Sequence, residues 1–341
     1  MKVYYFTIIV LLAVFSCNGQ TVNQTYMIRK GNIVYDFTFA ELAVKYLETN
    51  DSAYLQKIAD LRATEHIFNH SKRYNYNVPN NSKLELVTYL LTPINEKKKI
   101  LPEFERNLQF AKNSIASNDF AQKICLQYLP DNFQYSSSLF FTFGYDIGVV
   151  YGGNASINIA NPYFIKNPNE IKYYSVHELH HAGFVMLKNN FMPSLDILNY
   201  RQMSQFIEYF TQLEGMGTFA PLDVRKKENA MNTDRDYIAL QDSLLMKEDE
   251  KEFFDIYFHF KNNPDSLITA KDWNMISTLS DEKRLWYRIG AEMAQTIDKN
   301  LGRGKLVSLI SMSSENFIDT YLMIKDKYLI HNLKNINSIQ K

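Results

Sequence analysis

Five consecutive residues, His177-Glu178-Leu179-His180-His181, constrain this chain more than any other stretch of it. At 3.6 residues per turn, positions i and i+4 stand only ~40° apart around a helix axis, so His177 and His181 lean the same way. Two neutral imidazoles held like this can take two corners of a zinc tetrahedron. Glu178 is turned ~100° from His177, which aims its carboxylate at a metal-bound water rather than at the metal. Zinc lowers the pKa of such a water towards ~7, and an adjacent carboxylate can take the proton as attack begins. Val176, Leu179, Phe184, Val185, Met186 and Leu187 surround the pattern with apolar side chains, and a helix apolar nearly all round is a buried one. Buried histidines and a buried carboxylate need partners, and a metal supplies one. That setting disfavours the plainer alternative of a surface helix with two histidines and an ion-paired glutamate. His180 also stands three residues from His177, but only the outer pair brackets Glu178, so His180 reads as a packed or supporting histidine.

A catalytic zinc site takes three protein ligands and keeps a fourth position open. Extending the pattern to H-E-x-x-H-x-x-G-x-x-H would need glycine at 184 and histidine at 187, where this chain has Phe184 and Leu187. The next histidine downstream is His259, so a carboxylate is the expected third ligand, from among Asp196, Glu208, Glu214 and Asp223. A helix is expected from about Tyr200 to Glu214, with Met203, Phe206, Ile207, Phe210 and Leu213 as its apolar stripe. Glu214 continues that stripe and is expected to face the interior, whereas Glu208 is expected to face solvent. Gly215 and Gly217 follow directly and would let two backbones approach closely. The expected site is therefore one Zn²⁺ held by His177, His181 and Glu214, with Glu178 as general base. A buried Glu214 that satisfies a helix terminus or an arginine is the alternative.

The N-terminal residues carry an expectation about where the chain resides. Lys2 precedes an apolar run from Val3 to Phe15, followed by Ser16-Cys17-Asn18-Gly19. The run is short for a bilayer span and ends in small and polar residues, which is the pattern of a secretory signal. Val14-Phe15-Ser16-Cys17 resembles the lipobox of bacterial lipoproteins, although Phe15 departs from the small or aliphatic residue usual there. The expectation is a lipidated Cys17, an exported protein and a membrane anchor at the bacterial cell envelope; ordinary secretion with cleavage a few residues later is the alternative. With Cys17 acylated, only Cys125 remains and no internal disulfide can form. The formal net charge is zero, which argues against nucleic acid as a partner.

Periodicity divides the remainder into a polar tether over 17–30, a helical region over 31–130, a metal-binding core over 131–222 and a helical region over 223–341. In the first helical region Glu65, His66 and His70 have the right histidine spacing, but the acid lies outside the pair, so exposed or structural histidines are expected. Strands are expected at Ser138–Phe143, Ile147–Tyr151 and Ala155–Ala160, separated by turns at Gly144-Tyr145-Asp146 and Gly152-Gly153-Asn154. They imply a small antiparallel sheet before the motif helix, whose start is marked by Asn167-Pro168-Asn169-Glu170. An exposed strand edge beside a metal-binding helix suits a peptidase, because it can hold an extended substrate by backbone hydrogen bonds. Further helices are expected at about 233–261 and 281–301, the latter stopped by Gly302, with two shorter ones after it.

His177 to Phe184, followed by Glu214-Gly215-Met216-Gly217, resembles the gluzincin metallopeptidases. More closely, the chain is similar to a family of zinc-dependent peptidases found as bacterial secreted or lipid-anchored proteins. Tyr287 to Ala291 through Ile297, then Gly302, Leu306 and Phe317 to Tyr321, resemble that family's C-terminal helices, so the likeness covers about 150–325. It implies an α+β, predominantly helical fold with zinc in a cleft between two lobes, a peptide or protein substrate, and Tyr287 or Arg288 as candidate oxyanion donors. The same residues also admit a zinc hydrolase of a non-peptide amide or ester, and an anchored binding protein with a vestigial metal site. The intact Glu178 weighs against the last, since a structural zinc has no use for a general base.

Overall fold

The computed structural model describes residues 26–131, 133–188 and 191–339. The leader and Cys17 lie outside the described residues. The fold is α+β and predominantly helical, with one connected apolar core running from Ile33 to Ile324.

The sheet has five strands: β1 Met27–Lys30, β2 Ile33–Asp36, β3 Ser137–Thr142, β4 Gly148–Tyr151 and β5 Asn154–Asn158, in the order β1-β2-β3-β5-β4. The three expected strands are present, but the sheet is mixed rather than antiparallel. β2 and β5 both run parallel to β3, and only the β1–β2 and β4–β5 pairs are antiparallel. Parallel neighbours need a long crossover. Between β2 and β3 that crossover is the whole first set of helices, from Thr38 to Tyr128. The expected tether over 17–30 is corrected at its end, where β1 forms a hairpin with β2 through Gly31 at φ 52°.

Those crossover helices cover one side of the sheet. Phe37 stacks on Phe141 with ring centroids 4.4 Å apart, and Phe104 meets Phe143 edge-on at 4.9 Å. Each such fully buried ring contributes ~1.5–3 kcal/mol of transfer free energy. The buried Asn107 amide nitrogen donates to the Ile159 carbonyl at 2.8 Å.

The motif helix, Glu170–Leu187, packs against β4 and β5. Asn167 and Pro168 form the turn before it, with the Glu170 N–H donating to the Asn167 carbonyl at 3.0 Å. Glu170 itself is 1% exposed and binds Arg225 through two parallel hydrogen bonds, with the guanidinium between the Tyr173 and Tyr237 rings at 4.2 and 3.9 Å. A buried pair of this kind is costly to break from one side, by ~3–5 kcal/mol, so it pins the start of the motif helix.

The helix expected to end near Glu214 runs on to Phe219 from Tyr200. It crosses the motif helix and lies along a third, Leu285–Leu301, which ends at Gly302 with φ 84° as expected. At the second contact Gly215 meets Gly290, where a Cβ on residue 215 would come within 2.3 Å of the Gly290 Cα. The single helix expected over 233–261 is two, Arg235–Ala239 and Ser243–Lys261. Asp242 breaks them by accepting from the N–H groups of Leu244 and Leu245. The last helix, Glu315–Ile339, is longer than expected.

Candidate metal centre

His177 and His181 project together from the motif helix, their ring centroids 4.1 Å apart and their planes at 67°. Glu214 reaches them from the crossing helix. One carboxylate oxygen, Oε2, stands 2.9 Å from His181 Nε2 and 3.3 Å from His177 Nε2. Ligand atoms at the corners of a zinc tetrahedron with bonds of ~2.0–2.2 Å are roughly 3.3 Å apart. The three donors, all within 4.8 Å of one another, therefore already stand at about the separations one zinc ion would impose. They form the one such cluster of three or more His, Cys, Asp or Glu among the described residues.

The approach of the two helices is a matter of missing side chains. A Cβ at Gly217 would lie 2.5 Å from His181 Cε1 and 3.1 Å from His177 Cε1, so residue 217 must present bare backbone to both rings. Asp196 and Asp223 are exposed and outside the cluster. Glu208 also lies outside it, but it is not in solvent: it is 4% exposed and accepts from Tyr257 Oη at 2.9 Å and Lys261 Nζ at 2.7 Å. The expectation for Glu208 failed because the Ser243–Lys261 helix covers the face of the crossing helix opposite the motif helix.

Electrostatics follow burial. Burial, then the neighbouring His181, push His177 down to about 4 against the pull of Glu214. Burial alone would lower His181 and raise Glu214, but their mutual attraction outweighs it, so His181 is raised and Glu214 held well below the usual carboxylate range. His180 is fully buried on the other side of the helix, with Nε2 3.3 Å from the Tyr128 carbonyl, and burial pushes it down to about 3. It is packed, not part of the donor set.

Glu178 occupies the position beside the donors. It is 5% exposed, and burial, with Glu214 and Asp146 adding their negative charge against His181, pushes its carboxyl up to about 8. A metal dication in the adjacent donor set would draw that value down again. Its Oε1 lies under β4, where a Cβ on Gly148 would come within 2.3 Å of it.

Donors and glutamate open onto a cavity of ≈ 410 Å³. Gly148, Val149 and Val150 of β4, an edge strand of the sheet, form one wall. Tyr287 forms another, its ring parallel to that of His177 within 9° at a centroid distance of 6.2 Å. The Arg284 guanidinium lies 3.4 Å from the Tyr287 ring centroid and is itself held by Asp236 at 2.7 Å. Arg288 points elsewhere, to Asp236 and Asp249 at 3.1 and 3.2 Å. His66 and His70 are structural, bonded to the Val149 carbonyl at 3.3 Å and to Tyr145 Oη at 2.8 Å. Sequence reasoning missed Gly148 and the Arg284–Asp236 support. Gly148 is the second residue of the expected strand and the only glycine of β4, which was the available signal.

The family model described as "Putative zinc dependent peptidase (DUF5700)" matches residues 51–327. No curated protein and no solved structure matches the chain.

Proposed function

The chain belongs to the family of putative zinc dependent peptidases, and on that premise we propose a gluzincin-type metallopeptidase in which His177, His181 and Glu214 hold one Zn²⁺ and Glu178 is the general base. The observation that carries this reading is the convergence of two imidazole nitrogens on one Glu214 oxygen, at 2.9 and 3.3 Å, with a second carboxylate beside them in a cavity. Zinc in such a site polarises the scissile carbonyl and lowers the pKa of the attacking water. A Glu178 oxygen takes the proton of that water and passes it to the leaving nitrogen. Tyr287 supplies a hydroxyl for the developing oxyanion: burial first, then the charge on Glu214, keep its phenol protonated and so a donor. β4 offers an extended peptide a row of backbone partners beside Glu178, which favours peptide bonds over small amides or esters.

Metal analysis of the purified protein beside a peptide-library digest tests the reading. One zinc per chain and cleavage that disappears in Glu178→Gln are expected. Zinc-loaded protein without cleavage dependent on Glu178 would overturn it. For the N-terminus, the apolar run from Val3 to Phe15 just before Cys17 supports an exported, lipid-anchored protein at the bacterial envelope. Cys17→Ser is then expected to move the protein from the membrane to the soluble fraction, and unchanged fractionation would remove the anchor from the reading.

A further inference from the structure

We propose that the end of the cavity next to the start of β4 is a subsite for a basic side chain of the substrate, a lysine or an arginine, walled by Tyr74, Tyr76 and Asp146. The proposal rests on the peptidase reading above and adds to it the chemical class of residue that the site selects.

The wall is built by the turn that leads into β4. Gly144 and Tyr145 both have positive φ, at 77° and 71°, and deliver Asp146 two residues before Gly148. One Asp146 oxygen accepts from the Ile147 N–H at 2.7 Å and the other from Tyr76 Oη at 2.6 Å. No lysine or arginine pairs with it among the described residues. The Tyr74 and Tyr76 rings are fixed around His70 at 4.6 and 5.2 Å, and Tyr76 also meets Tyr145 at 5.3 Å. Aromatic faces beside a carboxylate attract an ammonium or guanidinium group, and more strongly when water is excluded.

A second observation comes from the crossing helix. Tyr209 is 2% exposed and lines the cavity, yet its hydroxyl has no hydrogen-bond partner among the described residues. A buried polar atom left unpaired costs ~1–3 kcal/mol. An N–H donor entering the cavity would find in it an acceptor not otherwise engaged.

The charge balance of the cavity agrees. Its two arginines are already neutralised, Arg225 by Glu170 and Arg284 by Asp236. Arg73 lies with its guanidinium 5.7 Å from the Tyr74 ring centroid and also donates to Met192 Sδ at 2.9 Å, which leaves the Tyr76 ring and Asp146 for a substrate cation. Asp234, also in the lining, receives only hydroxyl donors from side chains, Tyr163 at 3.0 Å and Tyr174 at 3.4 Å. The carboxylates left without a cation give a substrate cation a favourable field and a substrate carboxylate an unfavourable one. Because Asp146 is two residues from the glycine that touches Glu178, the side chain it receives belongs to a residue close to the scissile bond.

The test is a set of quenched fluorescent peptides differing at one position flanking the cleaved bond, with lysine, arginine, citrulline, norleucine or glutamate. Lysine and arginine are expected to give kcat/KM on the order of tenfold above citrulline and norleucine at one position. That ratio is expected to fall towards one in Asp146→Asn, to shrink in Tyr76→Leu, and to fall with rising salt in the unaltered protein. A ratio of one at every position, or one that Asp146→Asn and salt leave unchanged, overturns the subsite. If no peptide is cleaved, the peptidase reading fails by itself. Calorimetry of the same peptides with Glu178→Gln protein, with and without Asp146→Asn, then decides the subsite separately: a lysine-over-norleucine affinity ratio that Asp146→Asn abolishes supports it, and equal affinities overturn it.

Discussion

The Glu178 carboxylate is pressed against the backbone of Gly148, so closely that a methyl group on that residue would sit 2.3 Å from Oε1. Gly148→Ala must therefore push Glu178 aside while leaving His177, His181 and Glu214 in place. We expect normal zinc content and a fall in kcat/KM of about 10²-fold or more, the scale of a lost proton-transfer group. Zinc analysis and peptide kinetics on the same preparation check it; full activity would mean that Glu178 does not act from this position.

Glu178→Gln keeps the shape and removes the carboxylate proposed as the base. Retained zinc with kcat reduced by about 10²–10⁴-fold is expected, and loss of the metal would instead make Glu178 a ligand.

Glu214 and Glu208 are separated by less than two turns of one helix, yet their alanine variants should behave oppositely. Glu214→Ala removes one of three donors and should abolish stoichiometric zinc binding after dialysis. Glu208→Ala should leave zinc binding intact while lowering stability by ~1–3 kcal/mol, because Tyr257 and Lys261 lose a buried acceptor. Zinc titration and urea unfolding of both variants separate the two effects.

Acid should destabilise the metal-free protein well before its carboxylates titrate. Burial is the first cause that pushes His66 down to about 4 and His70 and His180 to about 3. An unfolded chain binds protons at these imidazoles below ~6.5, and the native state refuses them until far lower pH. Their effect is therefore absent above ~6.5 and grows as pH falls, at ~1.4 kcal/mol per pH unit for each proton taken up. Glu178 works the other way, since its value of about 8 lets the native state hold a proton that the unfolded chain has lost, and it outweighs the imidazoles between ~8 and ~6.5; below ~6.5 one carboxyl does not offset four imidazoles, His177 at about 4 being the fourth. Urea midpoints at pH 6.5, 5.8 and 5 should fall steadily, and His66→Gln should flatten the slope by about one proton's worth.

The residues gathered at the candidate site were legible because helix arithmetic is local. The spacing of His177 and His181 and the stripe through Ile207, Phe210 and Glu214 depend only on 3.6 residues per turn. The same arithmetic misjudged Glu208, because exposure of a helix face depends on what packs there, and Ser243–Lys261 is remote in sequence. The strands after Pro130 were legible from their turns, but parallel pairing of β2 with β3 joins segments a hundred residues apart and leaves no local trace. β1 and β2, at four residues each, are too short to show alternation.

The backbone contact between Gly215 and Gly290 also limits how this molecule can move. Two helices that touch through bare backbone cannot slide or roll past each other without colliding at the next side chain. Glu214 sits beside one glycine and Tyr287 three residues before the other, so both belong to a single stiff jaw whose spacing does not change. Opening for an incoming chain, and release of its fragments, must then fall to the opposing jaw, the turn and strand over 144–151 and its tyrosines. Loosening that segment would alter turnover without disturbing the pairing of Glu214 with Tyr287, which makes the rate of product release a property of the N-terminal half of the chain.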